Sequence, residues 1–241
     1  MTQDSDCGAG ALICIPTYNE AGNIAPITEA VLARAPLAHI LIADDNSPDG
    51  TGEIADTLSA KDARIHVLHR LVKNGLARAY LASFDWALSR DYRYIFTFDA
   101  DFSHDPQYIP RFFSVLAQGD ADVVVGSRLV PGGGSENWPL HRKVLSRAGN
   151  LYSQKVLRVP VRDLTGGFNA FTREALTAIL QRELGSAGYS FEIELKYRAV
   201  RSGLIVKEEP IIFREREVGK SKMSFSIILE GFRQVLKLKY K

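Results

Sequence analysis

The fold is decided by Ile95-Phe96-Thr97-Phe98-Asp99-Ala100-Asp101-Phe102-Ser103-His104-Asp105-Pro106, in which an apolar run typical of a buried strand ends in two carboxylates one residue apart. Side chains at positions i and i+2 of an extended chain point to the same side. We therefore expect Asp99 and Asp101 to present oxygens to one hard divalent ion, Mg²⁺ or Mn²⁺. The alternative is structural: Asp-Ala-Asp opens a loop, and Asp105-Pro106 caps the next helix.

Around this stretch, short apolar runs alternate with helical patterns. The predicted strands are 11–16, 39–44, 64–69, 92–99 and 122–126, and the predicted helices are 20–34, 51–60, 76–89 and 106–117. Such βαβ repetition predicts an α/β fold with a mostly parallel, twisted sheet flanked by helices on both faces. Ligands of these sheets bind outside the carboxyl ends of the strands. We therefore expect the functional site at that rim.

Length and composition narrow the class of protein. The 241 residues are 46% hydrophobic, which suits a single α/β domain over residues 1–241 with a flexible N-terminal arm at 1–9. A formal net charge of +2 argues against a nucleic-acid-binding protein. Cys7 and Cys14 have unlike surroundings, which argues against a disulfide framework. No apolar run approaches the roughly 20 residues of a spanning helix, so we expect a soluble or peripheral membrane protein.

Two rim segments have the chemistry of a nucleoside pocket. Asp44 ends an apolar strand, where its carboxylate can accept hydrogen bonds from a base edge. Tyr18 follows the first strand and offers a flat surface for the same base. The other reading is that Tyr18 is a core or rim aromatic and that residues 45–51 form an ordinary turn.

Several motifs together resemble a known family. The order and spacing of Pro16-Thr17-Tyr18-Asn19-Glu20, Asp44-Asp45-Asn46-Ser47-Pro48-Asp49-Gly50-Thr51, Asp99-Ala100-Asp101 and Gly126-Ser127-Arg128 resemble family 2 glycosyltransferases of the GT-A fold. Three later segments, at 163–168, 188–194 and 213–222, are similar to those of the dolichol-phosphate (polyprenol-phosphate) mannose synthases. The resemblance covers nearly the whole chain.

The resemblance implies a set of donor-side residues. The nucleotide would be bound by Pro16, Tyr18, Glu20, Asp44, Asp99, Ala100, Asp101, Arg216 and Lys222. The metal, Mg²⁺ or Mn²⁺, would be held by Asp99 and Asp101, with Ser103 as a third ligand. Arg216 and Lys222 would close over the diphosphate from a glycine-containing loop, although alternating charges there also fit a solvated loop.

The acceptor side is expected to bind a phosphate. Arg128, with Arg142 and Ser146 four residues apart on one helical face, is suited to cradle a phosphate monoester, and the resemblance points to the same three residues. We assign catalysis to Asp101, Arg128 and Arg216. The alternative for Arg142 is an ordinary surface charge. The glycine-rich stretch 130–139 is read as a mobile loop with Trp138 as an interfacial aromatic.

The expected activity is inverting transfer of mannose from GDP-mannose to dolichyl or polyprenyl phosphate, giving a β-linked product. An amphipathic helix at 223–241 either contacts a membrane surface or packs on its own domain. The expected location is the cytosolic face of a membrane, with small membrane subunits as candidate partners and no nucleic acid. Two alternatives remain open: a polyprenyl-phosphate glucosyltransferase using UDP-glucose, and a sugar-nucleotide sensor without catalysis. A nucleotidyltransferase would instead carry a glycine-rich loop after the first strand.

Overall fold

The structure is a computed structural model that describes residues 6–182, 184–185, 189–215 and 225–240. Within these residues the strands are β1 (Ala11–Thr17), β2 (His39–Asp44), β3 (Ile65–His69), β4 (Tyr94–Thr97), β5 (Val123–Ser127), β6 (Gly134–Ser135), β7 (Asn169–Thr172), β8 (Val206–Pro210) and β9 (Ile212–Phe213). The helices are α1 (Ile24–Arg34), α2 (Thr51–Lys61), α3 (Leu76–Leu88), α4 (Ile109–Ala117), α5 (Leu140–Leu157), α6 (Arg173–Ile179), α7 (Tyr189–Arg201) and α8 (Phe225–Lys239).

The main sheet has the strand order β3-β2-β1-β4-β7-β5-β8. In the part of the chain that the structure describes, β7 runs antiparallel to both of its neighbours, and the other paired strands are parallel. The predicted α/β fold with a mostly parallel sheet is therefore confirmed. The antiparallel strand in its middle was not predicted. A short ribbon of β6 and β9 lies beside the sheet.

The strands are apolar because helices cover both faces of the sheet. Alternate residues of β1 belong to different cores: Ile13 and Ile15 pack on one face, and Leu12 and Cys14 on the other. All four side chains are fully buried. A parallel strand covered on both sides is expected to read as a continuous apolar run, which is why the sequence located these strands within a few residues.

A third apolar cluster lies under the C-terminal helix. Val235 and Leu238 of α8 are buried in it together with residues from α5 and α7. Leu236 of the same helix and Tyr240, which directly follows it, are exposed. The helix expected at 223–241 therefore packs on its own domain through one face and leaves apolar groups on another. Among the helices of the described residues, none combines the length and the hydropathy that a membrane span requires.

One local expectation was wrong. The strand expected at 92–99 ends at Thr97, so Asp99 and Asp101 lie in the turn that follows and their side chains are not aligned by strand alternation. Phe102 sits in the left-handed region with φ of 58°, which bends this turn sharply. The flexible arm expected at 1–9 stays a prediction; in its described part, Cys7 is buried and its carbonyl accepts a hydrogen bond from Leu37 N.

Candidate functional site

A cleft of 530 Å³ opens at the carboxyl ends of β1 and β4. Predicted donor-side and acceptor-side residues line it together: Pro16, Tyr18, Glu20, Asp99, Ala100, Asp101, Arg128, Arg142 and Ser146. Asp44 and Ser103 are not part of its wall. Arg216 and Lys222 lie outside the described residues. The structure therefore places an acidic rim and a basic rim on one cavity.

Both carboxylates of the Asp-x-Asp element have neighbours that orient them. Asp101 is 9% exposed, and its Oδ1 accepts a hydrogen bond from the backbone N–H of Ser103 at 3.0 Å. The Tyr80 hydroxyl donates to Asp99 Oδ1 at 3.4 Å. Burial, and then the charge of Asp99, raise the pKa of Tyr80 well above its ordinary value. Tyr80 is therefore a neutral hydrogen-bond donor at the edge of the site.

The donor set at this turn fits a hard divalent ion. The Ser103 Oγ is buried, and no described residue gives it a hydrogen-bond partner. The backbone N–H of the same residue binds Asp101, so two carboxylates and one unsatisfied hydroxyl belong to the same short segment of chain. Among the described residues no three His, Cys, Asp or Glu side chains form a metal-binding group. An ion here would need further oxygens, and the diphosphate of a nucleotide would supply them.

His104 was missed in the sequence analysis. Its ring is 2% exposed and lines the cleft, with Nε2 at 3.5 Å from Asp99 Oδ2. Both ring nitrogens are buried without a hydrogen-bond partner among the described residues. The signal was present in the sequence, because His104 follows the Asp-x-Asp element by three positions, but only the fold turns its ring towards Asp99.

The carboxylate of Asp44 binds other residues of the protein. It is 2% exposed, and its carboxylate accepts hydrogen bonds from Thr17 Oγ1 at 3.0 Å and from both N and Oγ of Ser47. Ser47 Oγ in turn accepts from the backbone N–H of Asn19 at 3.0 Å. Asp44 therefore fixes the two rim segments against each other, and its contact with a base stays a prediction.

The neighbouring Asp45 reaches the cleft instead. Its carboxylate forms an ion pair with Arg70. Burial raises the pKa of Asp45 above its ordinary value, although the Arg70 charge works in the opposite direction. Sequence reasoning chose the first aspartate of the pair because it ends the strand, and the structure gives the cleft-facing position to the second.

Tyr18 lines the cleft, and a lysine covers its ring. Lys73 Nζ lies 3.4 Å from the ring centroid, at the distance of a cation–π contact. Lys73 also lines the cleft, which brings a positive charge near the predicted nucleotide. This lysine was not assigned a role from the sequence, because it belongs to a loop between β3 and α3 that has no strand or helix pattern.

Arg128 is held by a buried carboxylate. Its Nε and Nη2 donate to the two oxygens of Asp163, both at 2.7 Å, and its Nη2 also donates to Thr165 Oγ1 at 2.9 Å. Asp163 is fully buried. Burial alone would raise the pKa of Asp163, but the Arg128 charge and hydrogen bonds outweigh it, and the pKa lies below its ordinary value. The guanidinium is thus fixed in orientation before any ligand arrives.

Arg142 lies between a carboxylate and an aromatic ring. Its Nη1 donates to Glu215 Oε1 at 2.6 Å, and its guanidinium carbon lies 4.0 Å from the centroid of the Trp138 ring. Trp138 is 9% exposed and packs edge-on against Phe213. The interpretation of Trp138 as an interfacial aromatic was therefore wrong, because Arg142 and Phe213 enclose it. Arg142 is not the isolated surface charge of the alternative reading.

A buried ion pair supports the floor of the cleft. Lys196 is fully buried and its Nζ donates to Glu192 Oε2 at 3.0 Å and to the carbonyl of Gly166 at 2.7 Å. Glu192, which lines the cleft, also accepts from Asn169 Nδ2 at 2.8 Å. Sequence reasoning missed this group because the loop residue Gly166 and helix α7 are brought together only by the folded chain.

Comparison with known proteins finds similarity to glycosyltransferases. The sequence model of glycosyl transferase family 2 matches residues 12–180. A polyprenol monophosphomannose synthase from Mycolicibacterium smegmatis is 48% identical over 225 residues, which cover 93% of this chain and 84% of that protein. An undecaprenyl-phosphate mannosyltransferase from Micrococcus luteus is 45% identical over 221 residues, which cover 91% of this chain and 90% of that protein.

The fold is also similar to that of a solved enzyme. The crystal structure of glucosyl-3-phosphoglycerate synthase from Mycobacterium tuberculosis, in complex with Mn²⁺, UDP and glucosyl-3-phosphoglycerate, matches with a TM-score of 0.66. The match covers 98% of this chain and 80% of that chain at 18% identity. At this identity the likeness shows a shared fold.

Proposed function

The chain belongs to glycosyl transferase family 2, and we propose that within this family it transfers mannose from GDP-mannose to a dolichyl or polyprenyl phosphate. The observation that carries the proposal is the single cleft that joins the acidic turn at Asp99 and Asp101 to the basic group of Arg128 and Arg142. One side suits a metal-bound sugar nucleotide, and the other suits a phosphate. The names of the two mannosyltransferase relatives support the same assignment.

On the donor side, the main task is to stabilise the departing diphosphate. A divalent ion at Asp99, Asp101 and Ser103 would supply a fixed positive charge for the leaving group. Lys73 adds a protein charge near Tyr18. We extend the same role to Arg216 and Lys222, as the family resemblance implies. Pro16, Tyr18, Glu20 and Ala100 would contact the nucleotide from the wall of the cleft.

On the acceptor side, the nucleophile needs orientation more than activation. A phosphate monoester has a second pKa near 6, so it is largely dianionic at neutral pH and needs no general base. The guanidinium of Arg128 is held in place by Asp163, and Arg142 is held against Trp138. Together with Ser146 they would hold the phosphate oxygen in line with the anomeric carbon. Direct attack from the opposite side inverts that centre and gives a β-linked product.

We propose that the protein works at a membrane surface, on the cytosolic face, because a polyprenyl chain is embedded in the bilayer. Leu140, Val144 and Leu151 are exposed apolar residues of α5, the helix that also carries Arg142 and Ser146. Exposed apolar side chains beside basic ones are typical of helices that lie on anionic membranes. Leu236 of α8 and Tyr240, directly after that helix, are further exposed apolar residues. Small membrane subunits are further candidate partners.

The test is transfer of labelled sugar to detergent-solubilised polyprenyl phosphate, with GDP-mannose or UDP-glucose as donor and with Mn²⁺, Mg²⁺ or chelator. We expect product from GDP-mannose that chelator abolishes. Asp99→Asn should lower transfer by about 100-fold or more, because it removes one ligand charge at the developing diphosphate. Asp85→Asn, an exposed aspartate of α3, is the matched control and should keep full activity.

The alternatives give different results in the same assay. If product forms only from UDP-glucose, GDP-mannose is not the donor, but the proposed transfer of a sugar to polyprenyl phosphate still holds. Nucleotide binding without transfer to any polyprenyl phosphate would favour the sensor. If the Asp99→Asn variant keeps full activity, the turn that contains Asp99 does not bind a metal that the reaction needs. Arg142→Ala should raise the KM for the lipid and leave GDP binding unchanged, and weaker GDP binding would move Arg142 to the donor side.

A further inference from the structure

Asn150 lies on the helix that carries half of the proposed acceptor group. It follows Arg142 and Ser146 on α5 at intervals of four residues, so the three side chains share one face of the helix. Asn150 is 1% exposed and, unlike its two neighbours on that face, does not line the cleft. Any effect of Asn150 on a substrate in the cleft must therefore pass through other residues.

The side-chain amide of Asn150 uses all of its hydrogen-bonding groups. Its Nδ2 donates to the carbonyl of Ser146 at 2.9 Å and to Thr165 Oγ1 at 3.0 Å. Its Oδ1 accepts from the backbone N–H groups of Leu164 at 2.8 Å and of Thr165 at 3.2 Å. A primary amide offers two N–H donors and two lone pairs on its oxygen. Asparagine is a poor helix former, and here it ties α5 to the loop that follows the helix.

Thr165 extends this tie to Arg128. Its hydroxyl oxygen accepts from Asn150 Nδ2 and also from Arg128 Nη2 at 2.9 Å, and its proton is donated to Asp163 Oδ1 at 3.4 Å. A hydroxyl has one proton and two lone pairs, so this side chain is fully used as well. The guanidinium of Arg128 is thus connected to α5 by two hydrogen bonds through one hydroxyl.

This connection opposes a repulsion between two cations. The guanidinium carbons of Arg128 and Arg142 lie 5.5 and 4.0 Å from the centroid of the same ring, that of Trp138. Like charges so close to each other repel. The ion pairs that the two arginines form use different carboxylates, Asp163 and Glu215. The spacing of the two cations therefore depends on how the segments that carry them are held together.

From these contacts we propose that Asn150 is a positioning residue for the acceptor phosphate. Through Thr165 it holds the Arg128 guanidinium in a fixed place relative to the face of α5 that carries Arg142 and Ser146. A phosphate bound by both arginines then meets donors that are already spaced for it, and less binding energy is lost in ordering them. The hydrogen-bonded tie stands on the contacts alone, and the identity of the phosphate rests on the proposed function.

The test measures binding of a water-soluble prenyl phosphate, farnesyl phosphate, by calorimetry without a sugar donor. Thr165→Val removes the hydroxyl and keeps the shape of the side chain. We expect the Kd to rise by about ten-fold or more, because a shift of about 1 Å in a positioned group can cost up to about 100-fold. Thr165→Ser restores the hydroxyl and should recover most of the affinity. Asn150→Ala, which cannot touch the ligand directly, should behave as Thr165→Val does.

Gln154→Ala is the matched control. Gln154 is also an amide of α5, and its Nε2 donates to the carbonyl of Val161 in the same loop at 3.3 Å. Its replacement should leave the Kd for farnesyl phosphate unchanged. GDP affinity should be unchanged in every variant, because the donor side of the cleft is untouched.

A double-mutant cycle separates positioning from general stability. In an Arg142→Ala background, Asn150→Ala should have little further effect on the Kd, because there is no second arginine to space against Arg128. Fully additive losses would overturn the positioning role, since independent sites add. Parent-like affinity in both Asn150→Ala and Thr165→Val would overturn it as well.

The same measurements keep this inference apart from the proposed function. If the expected binding pattern is found but no mannose is transferred, the proposed function fails and the positioning role stands. If mannose is transferred normally and the binding pattern is absent, the positioning role fails alone. A parent protein that does not bind farnesyl phosphate at all would overturn both.

Discussion

Asp163→Asn tests a deeply buried charge pair of the site. The change removes the negative charge opposite Arg128, whose side chain is only 10% exposed, and places an amide N–H near a guanidinium N–H. Two short charge-assisted hydrogen bonds at 2.7 Å are weakened or lost. Removing one partner of a buried pair costs about 3 to 5 kcal/mol. At about 2 to 4 °C per kcal/mol for a chain of this size, the melting temperature should fall by about 6 to 20 °C.

The assay is thermal and urea unfolding, followed by circular dichroism, against a matched exposed pair. Asp62 and Arg64 are 27% and 37% exposed, so Asp62→Asn should cost no more than about 1 kcal/mol. Equal losses of stability in the two variants would refute the reasoning that burial makes the Asp163 pair strong. A stable Asp163→Asn protein that also keeps its full affinity for polyprenyl phosphate would show that Arg128 needs no fixed carboxylate.

Three further outcomes follow from the same geometry. Glu215→Gln removes a competitor for Arg142 and should lower the KM for polyprenyl phosphate by up to about five-fold, since such half-exposed pairs contribute up to about 1 kcal/mol; a higher KM would make Glu215 a support for Arg142. Ser103→Ala should weaken Mn²⁺ binding measured by electron paramagnetic resonance, and an unchanged affinity would exclude this ligand. Because the folded protein lowers the pKa of Asp163, its stabilisation is present above pH of about 3.9 and is lost as the pH falls through the lower folded value, so the stability gap to Asp163→Asn should close there.

The parallel strands and the residues at their ends could be predicted because they depend on local patterns. Strands β1 to β3 are apolar runs, and the polar rim begins where each run ends. Pro16, near the end of β1, and Tyr18 and Glu20, which follow it, reach the cleft as their position at the carboxyl end of this strand implies.

The sequence could not predict pairings between distant segments. Asp163 lies 35 residues from Arg128, and Glu215 lies 73 residues from Arg142. Each pairing depends on where a loop is placed by the sheet. The hydrogen bonds that Thr17 and Ser47 donate to Asp44 could not be predicted for the same reason, because they form only in the folded chain.

The place of β7 in the sheet has a consequence for synthesis of the chain. β4 and β5 leave the ribosome before β7. In the finished sheet these two strands are not neighbours, because β7 lies between them. Until Asn169–Thr172 emerges, each of these strands presents an unpaired edge, and such edges are prone to pair with other chains. β7 is therefore inserted between two strands that are made before it, and a nascent chain halted near residue 168 should expose unpaired edges on both β4 and β5.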